Sequence, residues 1–368
     1  MRLHTQHPLV LAALLGTGLF AVTTLGMVTV ACVTRDALAR RFRAQIEDEA
    51  ELVCARIPTK EPGSRGIVMC AGGKYLKEAY ASLRQARAVG CTLPVDLVHV
   101  GPEEVPATAR QVFEQDIGNV RFVDAAAADL GVRPTNLFGF EVKSYALLLT
   151  RFDRVLFLDA DSAPLRDPTP LLDAYDQLFW PDYCVSKALV RPSWACGHFA
   201  DQVPPGPETE SGQFVVHVTK YIRGLVYAWL LNKHQDVFYK HYYGDKDLFR
   251  LGFLMAGFPF HQVSRMPGTL GLPLPDGRPL QCAMVQHAPD GTPLFAHRTM
   301  HKRFRTDGIV PSWDLYVSNA DEDGTRTCIE WIAHNRGTCL PGKRPGPGWP
   351  RTGTRIMDWE MAFESQVM

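Results

Sequence analysis

The feature that most constrains the fold is an apolar segment that runs directly into two carboxylates. Residues Val155–Leu158 are all hydrophobic, and Asp159 and Asp161 follow with one alanine between them. Side chains two residues apart on an extended strand point the same way, so the two carboxylates share one face. Their like charges repel, and a divalent cation would remove the repulsion, because hard cations bind carboxylate oxygens together with substrate phosphates. The pattern predicts a buried strand whose end holds a metal and a diphosphate.

An Asp-x-Asp pair alone is not specific, because Asp and the nearby Pro164 are also common in solvated turns. The strongly apolar strand before it favours a functional site. Ligands of open α/β sheets gather at the carboxyl ends of the strands, which is where this pair is predicted to lie.

The composition is that of an ordinary folded protein. The 368 residues are 46% hydrophobic and 21% charged, which suits a chain with a sizeable core. The formal net charge is zero and no basic block stands out, so nucleic acid is not expected as a partner.

An uncharged, mostly apolar segment at 9–33 predicts a single-pass membrane anchor, since a bilayer is crossed by about 20 residues. We expect a short N-terminal tail at 1–8, a charged stem at 34–62, a catalytic domain at 63–340 and an irregular C-terminal tail at 341–368. One basic residue precedes the anchor and several follow it within ten residues, so the positive-inside rule places the bulk of the chain in the cytosol.

The first half of the chain alternates predicted strands and helices. A strand at Gly66–Cys70 precedes a helical pattern at Tyr75–Val89, and a second strand follows at Val95–Val100. The alternation continues through a helix at Glu141–Thr150 to the strand that ends at Asp159. This order predicts an α/β domain with a mainly parallel sheet. The turn Ala71-Gly72-Gly73 after the first strand either brings backbone close to a nucleotide or is simply tight.

The second half contributes polar residues beside further predicted elements. Glu210 and Gln213 precede an apolar strand, where a carboxylate and an amide suit sugar hydroxyls. Asp245 and Asp247 precede a helix, and one of them is a reasonable N-cap. His297 ends a predicted strand, as Asp159 does, and a neutral imidazole can complete a metal shell.

Two basic residues follow that strand closely. Arg298 or Lys302 would neutralise a departing diphosphate through charge-assisted hydrogen bonds.

Taken together and in order, these motifs resemble the fungal Golgi α-mannosyltransferases of glycosyltransferase family 71, and more distantly the glycogenin-like retaining transferases. The segments that carry the resemblance are Gly66–Gly73, Val155–Pro168, Phe179–Tyr183, Glu210–Gln213, Gly244–Asp247 and Gln286–Arg298. The resemblance implies a GT-A fold, the Rossmann-like fold of nucleotide-diphospho-sugar transferases. It also implies a Mn²⁺ (or Mg²⁺) cofactor, GDP-mannose as donor, a glycan or glycoprotein acceptor, and an α-mannosidic linkage formed with retention.

The resemblance also assigns candidate roles to residues. Metal ligands would be Asp159, Asp161 and His297, and catalytic carboxylates would be Glu210, Asp245 and Asp247. Donor-binding residues would be Ala71, Gly72, Gly73, Lys143, Asp159, Gln213, Arg298 and Lys302. A type II Golgi membrane protein with a lumenal catalytic domain is implied as well, and this disagrees with the charge asymmetry around the anchor.

Two other functions remain open from the residues themselves. A haloacid-dehalogenase-type phosphatase also places Asp-x-Asp after an apolar strand, although Ser162 and Ala163 stand where its motif continues differently. A catalytically inactive glycan-binding membrane protein is the third hypothesis.

Overall fold

The computed structural model describes residues 39–183, 206–240, 242–273, 279–299, 315–317 and 359–367. The predicted anchor at 9–33, Lys302 and most of the predicted tail at 341–368 lie outside these ranges. Within the ranges, none of the helices combines the length and the apolar character that crossing a bilayer requires.

The larger of two sheets has six strands in the order β3-β2-β1-β4-β7-β6. Strands β1 to β4 are parallel, whereas β7 pairs antiparallel with both β4 and β6. The prediction of an α/β domain with a mainly parallel sheet is therefore confirmed. The strands are β1 (Glu61–Cys70), β2 (Val95–His99), β3 (Val120–Asp124), β4 (Phe152–Asp159), β6 (Gln177–Pro181) and β7 (Thr209–His217).

The second sheet has five antiparallel strands in the order β11-β8-β9-β10-β5. They are β5 (Ser162–Pro164), β8 (Gly268–Pro273), β9 (Pro279–His287), β10 (Pro293–His297) and β11 (Leu315–Val317). Strand β5 begins three residues after β4 ends, so the chain passes from one sheet to the other at Asp159–Asp161. The predicted carboxylate pair thus lies at the junction of the two sheets.

Helices cover both faces of the larger sheet. Val155 and Phe157 of β4 belong to one hydrophobic cluster, and Leu156 and Leu158 belong to the other. A strand buried on both faces reads as a continuous apolar run, which explains the sequence pattern of β4. The helices are α1 (39–54), α2 (Leu76–Ala88), α3 (Ala107–Asp116), α4 (Glu141–Leu149), α5 (Pro170–Ala174), α6 (Val218–Lys233), α7 (Gln235–Phe238), α8 (Lys246–Met255) and α9 (359–367).

Helix α1 lies within the segment predicted to be a stem, and it packs against the α/β domain. Ile46, Ala50 and Val53 are fully buried in the first cluster, at the spacing of one helix face. Glu49 accepts a hydrogen bond from Lys233 of α6 at 3.1 Å. Residues 39–54 are therefore packed as part of the folded domain.

Helix α9, near the C-terminus, packs on the opposite face. The ring of Phe363 lies 5.0 Å from that of Tyr80 and 5.6 Å from that of Phe113, measured between centroids. The chain thus returns to the α2–α3 side of the domain after the described part of the second sheet.

We expect Ile46→Ala to lower the free energy of unfolding by about 2 to 4 kcal/mol, the usual cost of truncating a buried Ile. Denaturant-induced unfolding at constant temperature measures the change. Asp48→Ala is the matched control, because Asp48 is exposed on the same helix and should change stability little. Equal stability of both variants would mean that α1 does not pack on the domain.

Candidate active site

Three strand ends bring two carboxylates and an imidazole together. Asp159 is the last residue of β4, Asp161 immediately precedes β5, and His297 is the last residue of β10. Strand β10 pairs antiparallel with β5, with His297 opposite Ser162. This pairing places His297 beside the Asp159–Asp161 turn, although His297 follows Asp161 by 136 residues in the chain.

The three side chains are close enough to share one cation. His297 Nε2 lies 3.1 Å from Asp161 Oδ1 and 3.8 Å from Asp159 Oδ2. One donor atom from each residue falls within 4.8 Å of the others. Two carboxylates and a neutral imidazole form a donor set that suits Mn²⁺ and related divalent ions.

The surrounding charge also fits a cation. Lys143 Nζ lies 2.7 Å from Asp159 Oδ2 and 3.6 Å from Asp245 Oδ2, and His297 Nδ1 lies 3.4 Å from Glu210 Oε1. Among the described side chains that meet in these contacts, four carboxylates with Asp161 included face one ammonium and one imidazole. With all four carboxylates ionised, negative charge exceeds positive charge even when both basic groups are protonated, and an uncompensated buried charge is costly. A divalent ion would offset that excess.

These contacts shift the pKa values of the basic groups. Burial acts to lower the pKa of His297, but Asp161 and Glu210 outweigh it and raise the pKa to about 10. Burial likewise acts to lower the pKa of Lys143, and the carboxylates of Asp159 and Asp245 raise it above its ordinary value. The carboxylates of the site therefore stabilise the protonated forms of His297 and Lys143.

Gly212 makes room for the imidazole. A Cβ atom at this position would lie 2.3 Å from His297 Cε1 and 2.4 Å from His297 Nδ1, which no real side chain tolerates. The amide of Gly212 also donates to Glu210 Oε1 at 2.7 Å. Gly212 thus lets β7 approach His297, a role that the sequence alone did not indicate.

Gln213 lies at the same junction. Its Oε1 atom accepts a hydrogen bond from Ser162 Oγ at 3.1 Å, and the residue is fully buried. Gln213 therefore links β7 to β5 beneath the carboxylates.

A cavity of about 330 Å³ opens beside this cluster, at the carboxyl ends of β1, β2 and β4. Of the predicted donor-binding residues, Ala71, Gly72, Lys143 and Asp159 line it, together with Asp161. Tyr75, Glu104 and Phe138 also line it, although the sequence did not indicate them as site residues.

The two positions after β1 are glycine for different structural reasons. A Cβ atom on Gly72 would lie 2.0 Å from Glu104 Oε2, so the Glu104 side chain occupies the space that a side chain here would need. Gly73 has φ +52° and forms the turn into α2, and it is not among the residues that line the cavity. The tight turn, one of the two alternatives in the sequence, thus applies to Gly73, whereas Gly72 makes room for the side chain of Glu104.

Arg298 is held away from the cavity. Its backbone amide donates to the Asp161 carbonyl at 3.0 Å, but its guanidinium contacts Glu360 of α9 and its side chain is 1% exposed. It is not among the residues that line the cavity. The structure therefore ties the strand end of β10 to α9 through this side chain.

The two acids before α8 also differ. Asp245 occupies the N-cap position but makes no capping hydrogen bond with its side chain, and its carboxylate faces Lys143. Asp247 Oδ1 accepts a hydrogen bond from the Thr209 amide at 3.0 Å, at the start of β7. Capping is the simpler interpretation of these acids, but neither side chain caps the helix with a hydrogen bond.

Asp247 should make stability depend on pH. Burial raises its pKa to about 7, although Lys246, Arg250 and the Thr209 amide act in the opposite direction. The folded state thus binds this proton more tightly than the unfolded state, so the stabilisation is complete at acidic pH and is lost as pH rises towards 7. Relative to Asp247→Asn, we expect the wild-type free energy of unfolding to fall by about 3 kcal/mol between pH 4 and pH 8. Parallel pH dependences of the two proteins would contradict this ionisation.

The sequence matches the family described as "Mannosyltransferase putative" over residues 64–188 and 194–287, more than half of the chain. Alpha-1,2-mannosyltransferase MNN21 of Candida albicans is 24% identical over 324 residues, which are 68% of this chain and 47% of that relative. Alpha-1,2-mannosyltransferase MNN2 of Saccharomyces cerevisiae is 23% identical over 300 residues, covering 68% of this chain and 49% of the relative. The chain thus spans about half the length of the curated relatives it matches.

Solved structures give weaker similarities. The galactosyltransferase LgtC in complex with donor and acceptor sugar analogs is 17% identical, with a TM-score of 0.37 over 54% of this chain and 73% of LgtC. The bifunctional WbbM glycosyltransferase is 13% identical, with a TM-score of 0.41 over 57% of this chain and 40% of WbbM.

The family match confirms the resemblance to fungal α-mannosyltransferases that the sequence motifs indicated. The match includes β1, β4, β7 and the approach to β10, the elements that bring the candidate site together. The chain belongs to the family described as "Mannosyltransferase putative".

Proposed function

We propose that this chain is a cation-dependent α-mannosyltransferase with a GT-A fold, which transfers mannose from GDP-mannose to a hydroxyl of a glycan or glycoprotein with retention of configuration. The observation that carries the proposal is the convergence of Asp159, Asp161 and His297 beside a cavity at the strand ends. Family membership supports sugar transfer over the phosphatase hypothesis.

Asp159, Asp161 and His297 are the residues that would hold Mn²⁺ (or Mg²⁺). When bound, such an ion supplies a Lewis acid that stabilises charge on a departing diphosphate. Lys143 lines the same cavity and reaches Asp159, so its ammonium is placed to neutralise a further phosphate charge. Lys302 remains a candidate for the same task on the grounds of sequence alone.

Glu210 and Asp245 are the proposed carboxylates of the reaction. Sugar transfer develops positive charge at the anomeric carbon, and a nearby carboxylate stabilises that charge or orients the attacking hydroxyl. Glu210 contacts His297 and Asp245 contacts Lys143, so both adjoin the proposed donor site. We assign Asp247 a positioning role instead, because its carboxylate binds the backbone of β7.

We further propose that the apolar segment 9–33 anchors the protein in the Golgi membrane with the catalytic domain in the lumen. This placement follows the resemblance to fungal Golgi enzymes rather than the positive-inside rule.

The test is nucleotide release by the purified full-length chain with Mn²⁺ and a panel of nucleotide sugars. We expect release from GDP-mannose that is stimulated by an α-mannoside and abolished by EDTA. Preferential release from another donor would overturn the choice of substrate. Hydrolysis of a phosphomonoester with Mg²⁺ would favour the phosphatase, and saccharide binding without nucleotide affinity would favour the inactive glycan-binding protein.

A further inference from the structure

The cavity has a second polar end, away from the cluster of Asp159, Asp161 and His297. Glu104 lies there, in the short 3-10 turn Pro102–Glu104 that follows β2. Glu104 follows β2 and its carboxylate lies against Gly72, just after β1, whereas Asp159 ends β4, the strand on the other side of β1. A nucleoside diphosphate whose phosphates lie at Asp159 would extend its base towards Glu104.

The carboxylate of Glu104 is held in a defined place. Its Oε2 atom accepts a hydrogen bond from the Val100 amide at 3.0 Å, and Gly72 leaves the space that this oxygen occupies. No hydrogen bond to Oε1 occurs among the residues that the structure describes. A carboxylate oxygen has two lone pairs, so each oxygen of Glu104 can still accept a hydrogen bond from a ligand.

Two aromatic side chains at the same cavity are unusually open to solvent. Tyr75 is 44% exposed and Phe138 is 79% exposed, and both line the cavity with Glu104. Aromatic faces of this kind stack on nucleobases, since every base has a flat π-face. A base stacked on one of these rings would share the cavity with the Glu104 carboxylate.

We propose that Glu104 selects guanine by accepting hydrogen bonds from its N1–H and its 2-amino group. This inference rests on the proposed function and names the residue that sets its donor specificity. Two parallel donors match the two oxygens of a carboxylate, and charged acceptors make the stronger hydrogen bonds. Uracil offers one N–H between two carbonyl oxygens that a carboxylate repels, and adenine offers an unprotonated ring nitrogen instead of a donor.

The experiment measures the binding of diphosphates to the full-length chain with Mn²⁺ by calorimetry. GDP, inosine diphosphate, xanthosine diphosphate and UDP are the probes, because inosine lacks the 2-amino group and xanthosine carries a carbonyl there. We expect the wild type to prefer GDP to inosine diphosphate by about 10-fold or more, as bidentate base contacts usually do.

The variant Glu104→Gln should prefer xanthosine diphosphate to GDP. A glutamine carbonyl accepts N1–H while its amide donates to the 2-carbonyl of xanthine, so the variant should bind xanthosine diphosphate more tightly than GDP. Damage to the fold cannot produce such a gain. Glu103→Gln is the matched control, because Glu103 is exposed in the same turn and should keep the wild-type order.

Other results would overturn the inference in distinguishable ways. Equal wild-type affinity for GDP and inosine diphosphate, or a Glu104→Gln variant that still prefers GDP to xanthosine diphosphate, would show that guanine is recognised elsewhere. The proposed donor would then stand. A wild type that binds UDP as tightly as GDP would overturn the proposed donor together with the role of Glu104.

Discussion

Replacing Asp161 with Asn should reduce mannosyl transfer by about 100- to 1,000-fold or more, the range seen when one charge-stabilising group of an active site is removed. Asp161 Oδ1 lies 3.1 Å from His297 Nε2, and both atoms belong to the proposed donor set. The amide has nearly the same shape but no negative charge, so it weakens cation binding without opening a cavity. Nucleotide release at saturating GDP-mannose and Mn²⁺ measures the loss.

The control for this substitution is Asp236→Asn, which removes an exposed carboxylate from α7 and should leave activity unchanged. Calorimetric titration with Mn²⁺ separates lost cation binding from lost folding. A folded Asp161→Asn protein with wild-type activity would contradict the assignment of this carboxylate as a ligand.

A second large effect is expected from adding a single methyl group at Gly212. The new Cβ would overlap the His297 ring, so Gly212→Ala must displace the imidazole or push β7 away from β10. Overpacking of this kind costs about 1 to 3 kcal/mol of folding free energy. Displacement of a ligand also weakens the proposed cation site, so we expect both stability and Mn²⁺ affinity to fall.

A double-mutant cycle identifies the cause of that effect. In a His297→Ala background the closest remaining contact of the added methyl group is Glu210 Oε1 at 3.0 Å, so Gly212→Ala should then cost much less stability. The two substitutions should therefore be strongly non-additive, as residues in contact usually are. Additive costs would mean that a group other than the His297 ring, such as the Glu210 carboxylate, opposes a side chain at this position.

Local sequence patterns predicted the strands and the metal-ligand candidates because the physics involved is local. The continuous apolar run of β4 arises from burial on both faces, and a carboxylate pair after such a strand marks its carboxyl end. His297 was predicted by the same logic, as a polar residue that ends an apolar strand. Its actual approach to Asp161 depends on the pairing of β10 with β5, a strand of three residues that carries almost no pattern.

Features that depend on distant contacts could not be predicted. The charged composition of residues 39–54 indicated a stem, whereas Ile46 and its neighbours on one face are buried against helices far along the chain. Arg298 looked like a diphosphate contact, but the direction of its guanidinium is set by Glu360 in α9. Glu104 went unnoticed because only the folded chain shows that Gly72 leaves room for its carboxylate.

The most direct test of the central claim is the product formed from GDP-mannose and an α-mannoside by the purified full-length chain with Mn²⁺. Mass spectrometry should show an acceptor heavier by one hexosyl unit, NMR should show an α-linkage, and EDTA should abolish the product. A folded protein that binds Mn²⁺ and GDP-mannose but forms no mannoside, or that forms a β-linked one, would contradict the proposed retaining transfer.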